Sequence, residues 1–139
     1  MRNKIAGWAG LLGVLFFVGE AVIGGWQFES YSHMGQFISE TYAFGTPWSD
    51  VLRFGGVLPA GVLFTLFAFT SASIRPVPSS GMLGFIAFGV FYGLGTVATA
   101  FFPCDFGCDP DRTDPTLSHL LHFASGTLTY LFTPFCLLL

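Results

Sequence analysis

Charge is what this chain lacks most. Only 9% of its 139 residues are Asp, Glu, Lys or Arg, where a soluble globular domain carries about 25%. The five basic residues form no tract, which argues against nucleic-acid binding. With 53% hydrophobic residues and a net charge of -3, the chain falls in the membrane class, and the lipid bilayer is the one partner its composition names. No His-Glu-x-x-His or comparable metal-enzyme signature is present. No small-residue cleavage site follows the first apolar run, so that run reads as a retained span, not a signal peptide. No polar anchor follows Phe135-Cys136-Leu137-Leu138-Leu139, and the chain therefore reads as a fragment of a longer protein.

What the sequence has in quantity is Phe and Gly, eighteen of each. Phe suits a lipid-facing surface, and Gly lets helices approach closely. Four hydrophobic runs stand out, at about residues 5–26, 51–74, 81–102 and 117–139. Each is long enough to cross a hydrocarbon core of about 30 Å at about 1.5 Å per residue. The expected fold is an all-α, polytopic transmembrane helix bundle, with four spans in a single integral membrane domain over residues 1–139.

The second and third runs are joined by Arg75-Pro76-Val77-Pro78-Ser79-Ser80. Prolines so close together stop a helix, and so short a link forces an antiparallel hairpin. Asp114-Pro115 is expected to open the fourth helix as cap and first residue. Arg2, Lys4 and Arg75 share one side with no acid among them. The positive-inside tendency puts that side, and the N-terminus, in the cytoplasm of a cell-membrane protein. The segments 29–50 and 104–114 then meet on the outer face.

Gly89 and Gly93 in the third run make a small-xxx-small pair, as do Gly56 and Ala60 in the second, and the two pairs are expected to meet. Pro59 and Pro134 predict kinks. Glu20 lies about 9 Å short of the interfacial Trp26. A carboxyl there is costly, so it should face other helices, be protonated, or both. It fits a polar cavity, a proton site, or one satisfied hydrogen bond.

The outer face carries the chemistry. The stretch from Phe102 to His122 holds four of the eight acids, two of the three histidines and two of the three cysteines. Cys104 and Cys108 are open to three states: a disulfide, two free thiols, or a pair of metal thiolates. Cys136, in the fourth span, reads as a small buried hydrophobe. His119 and His122 lie on one helix face. With Asp105, and with Glu40 and His33 from the first outer segment, they could ligate Zn²⁺ or another divalent ion and activate a water. The simpler alternative has the histidines bonded to Asp105 and to backbone carbonyls. A short interfacial helix is expected near Met34–Tyr42, broken by Gly45-Thr46-Pro47.

Two motifs in order, Tyr31-Ser32…Ile38-Ser39-Glu40…Gly45-Thr46-Pro47 and then Phe102-Pro103-x-Asp105-x-Gly107-x-x-Pro110 with His119 and His122, resemble a bacterial and archaeal membrane family known as domain of unknown function 998. The resemblance runs from the first span into the fourth. It implies a protein of about six spans and brings no activity with it. Cys104, Cys108 and Glu20 fall outside the family pattern. Three functions stay open: a structural or sensory membrane protein with a rigid outer cap; a metal-dependent membrane-surface hydrolase using His119, His122, Asp105 and Glu40; and a transporter or channel component using Glu20.

Overall fold

The computed structural model describes residues 1–74 and 76–139. Arg75, part of the orientation argument, lies outside the described residues. Among the described residues four helices are long and apolar enough to cross a membrane: α1 (Arg2–Gly25), α2 (Ser49–Ala72), α3 (Ser79–Phe101) and α4 (Leu117–Leu138). Among the described residues there is no strand. The chain is an all-helical, multi-pass membrane protein. In the bundle α1 packs on α2, α2 on α3, and α3 on α4.

Local chemistry explains the helix ends. Pro103 disfavours a helical conformation in the residue before it, and Phe102 leaves α3 with φ -116° and ψ 77°. At the head of α4 the cap is not Asp114. Thr116 takes that place and its hydroxyl accepts from the His119 amide at 3.2 Å. Thr116 wins because its backbone and its hydroxyl are both held by Asp105. The expected interfacial helix shrinks to a 3₁₀ turn, Ile38–Tyr42. Glu40 folds back to accept from the Phe37 amide (2.9 Å) and the Gln36 side chain (2.8 Å), which caps the start of the turn.

Both central helices widen into π-helical turns, Arg53–Val57 in α2 and Gly89–Leu94 in α3. The first directly precedes Pro59. A proline ring collides with the carbonyl four residues back, and a π turn moves that carbonyl aside. Pro134 lies inside α4, which continues to Leu138.

The small-residue contacts form in a different register from the one expected. A Cβ on Gly93 would lie 2.8 Å from the Thr65 amide nitrogen, one on Gly89 3.0 Å from Ala68, and one on Gly61 2.7 Å from the Val97 amide nitrogen. These pairs fix the antiparallel register of α2 and α3. On it Gly56 falls opposite the end of α3, clear of Gly89 and Gly93. It meets α1 instead, where its Cβ would be 2.6 Å from that of Glu20.

Arg53 ties the two π-containing helices together. It is buried, and its Nε donates to the Ala100 carbonyl at 2.8 Å, one of the carbonyls left without an amide partner at the end of α3. Its Nη1 lies 3.2 Å from Asp50, and its guanidinium sits over Phe54 at 4.9 Å. Hydrogen bonds made by a charged donor contribute about 1.5–3 kcal/mol. Arg53→Met is therefore expected to lower stability by about that much in a detergent-unfolding titration. A variant that unfolds with the wild type would mean the tie contributes nothing.

Candidate functional site

The two connections at residues 26–48 and 102–116 form one cap over the end of the bundle. The Phe44 amide donates to the Cys104 carbonyl at 2.9 Å. Phe37 meets Phe123 edge-on at 6.4 Å between ring centres, and Tyr42 meets His122 at 6.1 Å. Glu40 and Phe106 line a shared hollow of about 180 Å³. The first of these segments thus packs directly on the second.

Asp105 organises the second connection. Its carboxylate accepts from the Thr116 amide (2.9 Å) and the Thr116 hydroxyl (2.8 Å), and Arg112 Nε lies 3.3 Å from Oδ2. Burial alone would push this carboxyl up. The Thr116 hydrogen bonds, with Arg112 and His119 nearby, outweigh it and hold the carboxyl below the usual aspartate range. The negative charge also sits at the N-terminus of α4, where the helix dipole favours it.

The histidines are used differently from each other. His119 is buried with its ring tilted against Phe123 at 4.8 Å, and its Nδ1 accepts from the Asp105 backbone amide at 3.1 Å. Asp105 and His119 do come together, but through the backbone; the carboxylate stands 3.7 Å from Nδ1. His122 lies 2.9 Å by its Nδ1 from the Phe102 carbonyl. A carbonyl only accepts, so Nδ1 carries the proton and Nε2 keeps its lone pair.

That second nitrogen belongs to a residue on the wall of a cavity of about 340 Å³ beneath the cap. Its polar lining includes Tyr42, Thr96, Thr99, His122, Thr129 and Tyr130, and Phe17 of α1 closes one side. Burial pushes the Tyr42 phenol well up, so it stays neutral. The sequence reading missed these hydroxyls. The signal available was Thr96 and Thr99 spaced to share a face of α3, and Thr129 on α4, within runs that are otherwise apolar.

Cys104 and Cys108 are paired as a disulfide across the turn at Gly107. Both are fully buried, and with a ring nitrogen of His122 their sulfurs form a group of donor atoms within 4.8 Å of one another. Among the described residues this is the group whose donor atoms lie close enough together to suit a metal ion, with the two sulfurs joined to each other as a disulfide. In this arrangement the Asp105 carboxylate and the His119 Nδ1 are already engaged, and Glu40 is bonded within its own turn. His33 borders the cavity beneath the cap as His122 does, with its Nε2 3.2 Å from the Ala21 carbonyl.

Glu20 is buried in α1 beneath the 3₁₀ turn. Thr41 Oγ1 lies 3.0 Å from Glu20 Oε1 and 2.7 Å from the Ile38 carbonyl. One hydroxyl proton thus faces two acceptors, and among the described residues Glu20 Oε2 has no hydrogen-bond partner. Glu20 also borders a separate, mostly apolar hollow of about 320 Å³ between α1 and α2.

Compared with known proteins, the chain matches no curated protein and no solved structure. The family model described as "Protein of unknown function (DUF998)" matches residues 11–139, which is all but the first ten. The match includes both motifs of the cap and all four of the residues Asp105, His119, His122 and Glu40, and the chain belongs to the DUF998 family.

Proposed function

We propose that this protein binds a small neutral amphiphile in the cavity beneath its cap, on the outer side of the cell membrane. The cavity itself is the supporting observation. About 340 Å³ is within the usual range for a small-molecule site. Its hydroxyls and the His122 Nε2 lone pair offer donors and an acceptor to a polar head. Phe17, Phe37 and Ile38 offer an apolar wall to the rest of the molecule. The residues lining it include no Lys, Arg, Asp or Glu to balance a charged head, which favours a neutral one. Arg2 and Lys4 lie at the end of the bundle away from the cap, in keeping with an N-terminus in the cytoplasm.

His122→Phe tests this. The ring volume is nearly kept, while the acceptor is lost. A long-chain monoacylglycerol is expected to bind the detergent-solubilised protein in native mass spectrometry, and the corresponding ionised fatty acid to bind at least tenfold more weakly. In the variant the monoacylglycerol should lose about tenfold. Equal binding of both lipids, or no effect of His122→Phe, would remove the proposal.

A transport role has one observation in its favour, the unpartnered Glu20 Oε2. A hydrolase using His119, His122 and Asp105 as metal ligands has less support, because two of those groups are spent on the loop and on the cap of α4.

A further inference from the structure

We infer that Cys104, Cys108 and His122 form a redox-gated site for a thiophilic divalent metal ion of the Zn²⁺ type, open when the disulfide is reduced and closed when it is formed. The donor set comes first. Two sulfurs and an imidazole nitrogen, all buried, lie within 4.8 Å of one another. Tetrahedral zinc, with bonds of about 2.0–2.3 Å, needs donors about 3.3–3.8 Å apart. Once the disulfide is broken its sulfurs, about 2 Å apart when bonded, must part to about 3.8 Å, and the ring nitrogen must close by about 1 to 1.5 Å. Thiolates and imidazole are the ligands such an ion prefers.

The surroundings of His122 point the same way. Metal-bound histidines usually donate their other ring N–H to a carbonyl or carboxylate, which fixes the tautomer. The contact of Nδ1 with the Phe102 carbonyl already does this and leaves Nε2 as the ligand. Three protein donors leave a fourth position open, and His122 borders the cavity through which water could fill it.

The loop does not depend on the disulfide to keep the sulfurs together. On one side of Cys104, the Ser118 hydroxyl donates to the Pro103 carbonyl at 2.7 Å. Cys104 itself is held by the Phe44 amide, and Asp105 by His119 and Thr116. The Cys108 amide closes the turn on the Asp105 carbonyl at 2.9 Å. Reduction therefore leaves two thiols in place beside His122.

The chemistry balances. A dithiol reductant transfers two electrons and two protons to the Cys104–Cys108 bond and becomes a cyclic disulfide. The metal ion then displaces both thiol protons to solvent as two metal–sulfur bonds form. Oxidation closes the site because a sulfur bonded to its neighbour is no longer a thiolate.

The experiment uses the full chain in detergent, oxidised or reduced with a dithiol that is then removed without oxygen, and titrated with Co²⁺. The reduced protein is expected to bind one Co²⁺ per chain, with a thiolate charge-transfer band and the visible bands of a tetrahedral site, both erased by Zn²⁺. The oxidised protein should show neither. Cys104→Ser and Cys108→Ser should each remove most of the charge-transfer band, and Cys136→Ser should keep it. His122→Ala should weaken binding tenfold or more. The inference is overturned if reduced protein binds no cobalt, if oxidised protein binds as well, or if the band survives both loop substitutions. Circular dichroism accompanies each sample, and loss of helix on reduction alone would also overturn it, since the loop would then need its disulfide.

Discussion

Gly93→Leu is expected to prevent the bundle from assembling, while Gly126→Ala leaves it intact or slightly more stable. The difference lies in what the new atoms meet. At Gly93 a Cβ alone would come 2.8 Å from the Thr65 nitrogen and 2.9 Å from its Cα, besides touching the hydroxyl. The nitrogen and Cα are backbone atoms of a neighbouring helix and cannot swing away. Gly61 has the same problem from the other side, against the Val97 nitrogen at 2.7 Å and the Gly93 carbonyl at 3.0 Å. Helices in lipid have no hydrophobic drive toward each other, so close packing carries the association. Overpacking by one methyl costs about 1–3 kcal/mol, and a leucine forces α2 and α3 apart. Gly10 is a softer case, because its new Cβ would meet the ring of Phe67 at 3.1 Å, which can turn. Gly126 has nothing within 4 Å, and alanine there gains helix propensity of up to about 1 kcal/mol. Unfolding each purified variant in detergent by increasing SDS would rank them. If Gly93→Leu unfolds with the wild type, the α2–α3 contact is not what holds the bundle.

That contact also marks how far the sequence could be read. Hydrophobic length alone gave the four helices, and Pro76 with Pro78 gave the link between α2 and α3. The small residues on α3 were legible as a packing face. Their partners were not, since register depends on how α2 and α3 seat against each other. A π turn changes that seating by a fraction of a turn and leaves no composition signal except the proline after it. The role of Arg53 was hidden, because nothing in sequence ties it to a carbonyl at position 100. The cluster in the cap was half legible. His119 and His122 on one face, near Asp105, followed from spacing. The division of labour did not: it is decided by a backbone amide at Asp105 and a carbonyl at Phe102, groups that every residue carries. The approach of Cys104 and Cys108 to His122 was hidden for the same reason, since it depends on the path of the loop between α3 and α4.

Asp105 is where that path is most exposed to test. Asp105→Ala leaves the Thr116 amide and hydroxyl without their acceptor; Thr116 is exposed, so water replaces part of what is lost and the cost is about 1 kcal/mol. The loss should be local. Deuterium exchange is expected to speed up across residues 103–119, while α2 and the α2–α3 contact keep their protection. The bond to His119 comes from the backbone, so it is not deleted with the side chain. The pH dependence follows from the direction of the shift. The folded carboxyl is held below its ordinary value of 3.8, mainly by the Thr116 hydrogen bonds working against burial. A depressed folded pKa contributes stability that is complete above the unfolded value and is lost as pH falls through the folded one. The cap should therefore be indifferent to pH near neutrality and begin to loosen only below about pH 4. Asp105→Asn should start out looser and show no such transition in this loop. Other acids titrate in the same range, so the comparison is the difference between wild type and Asp105→Asn, peptide by peptide. A wild-type loop that loosens near neutral pH, or an Asp105→Asn loop that loosens with the same acid midpoint, would show that the Asp105 carboxylate is not what holds the head of α4.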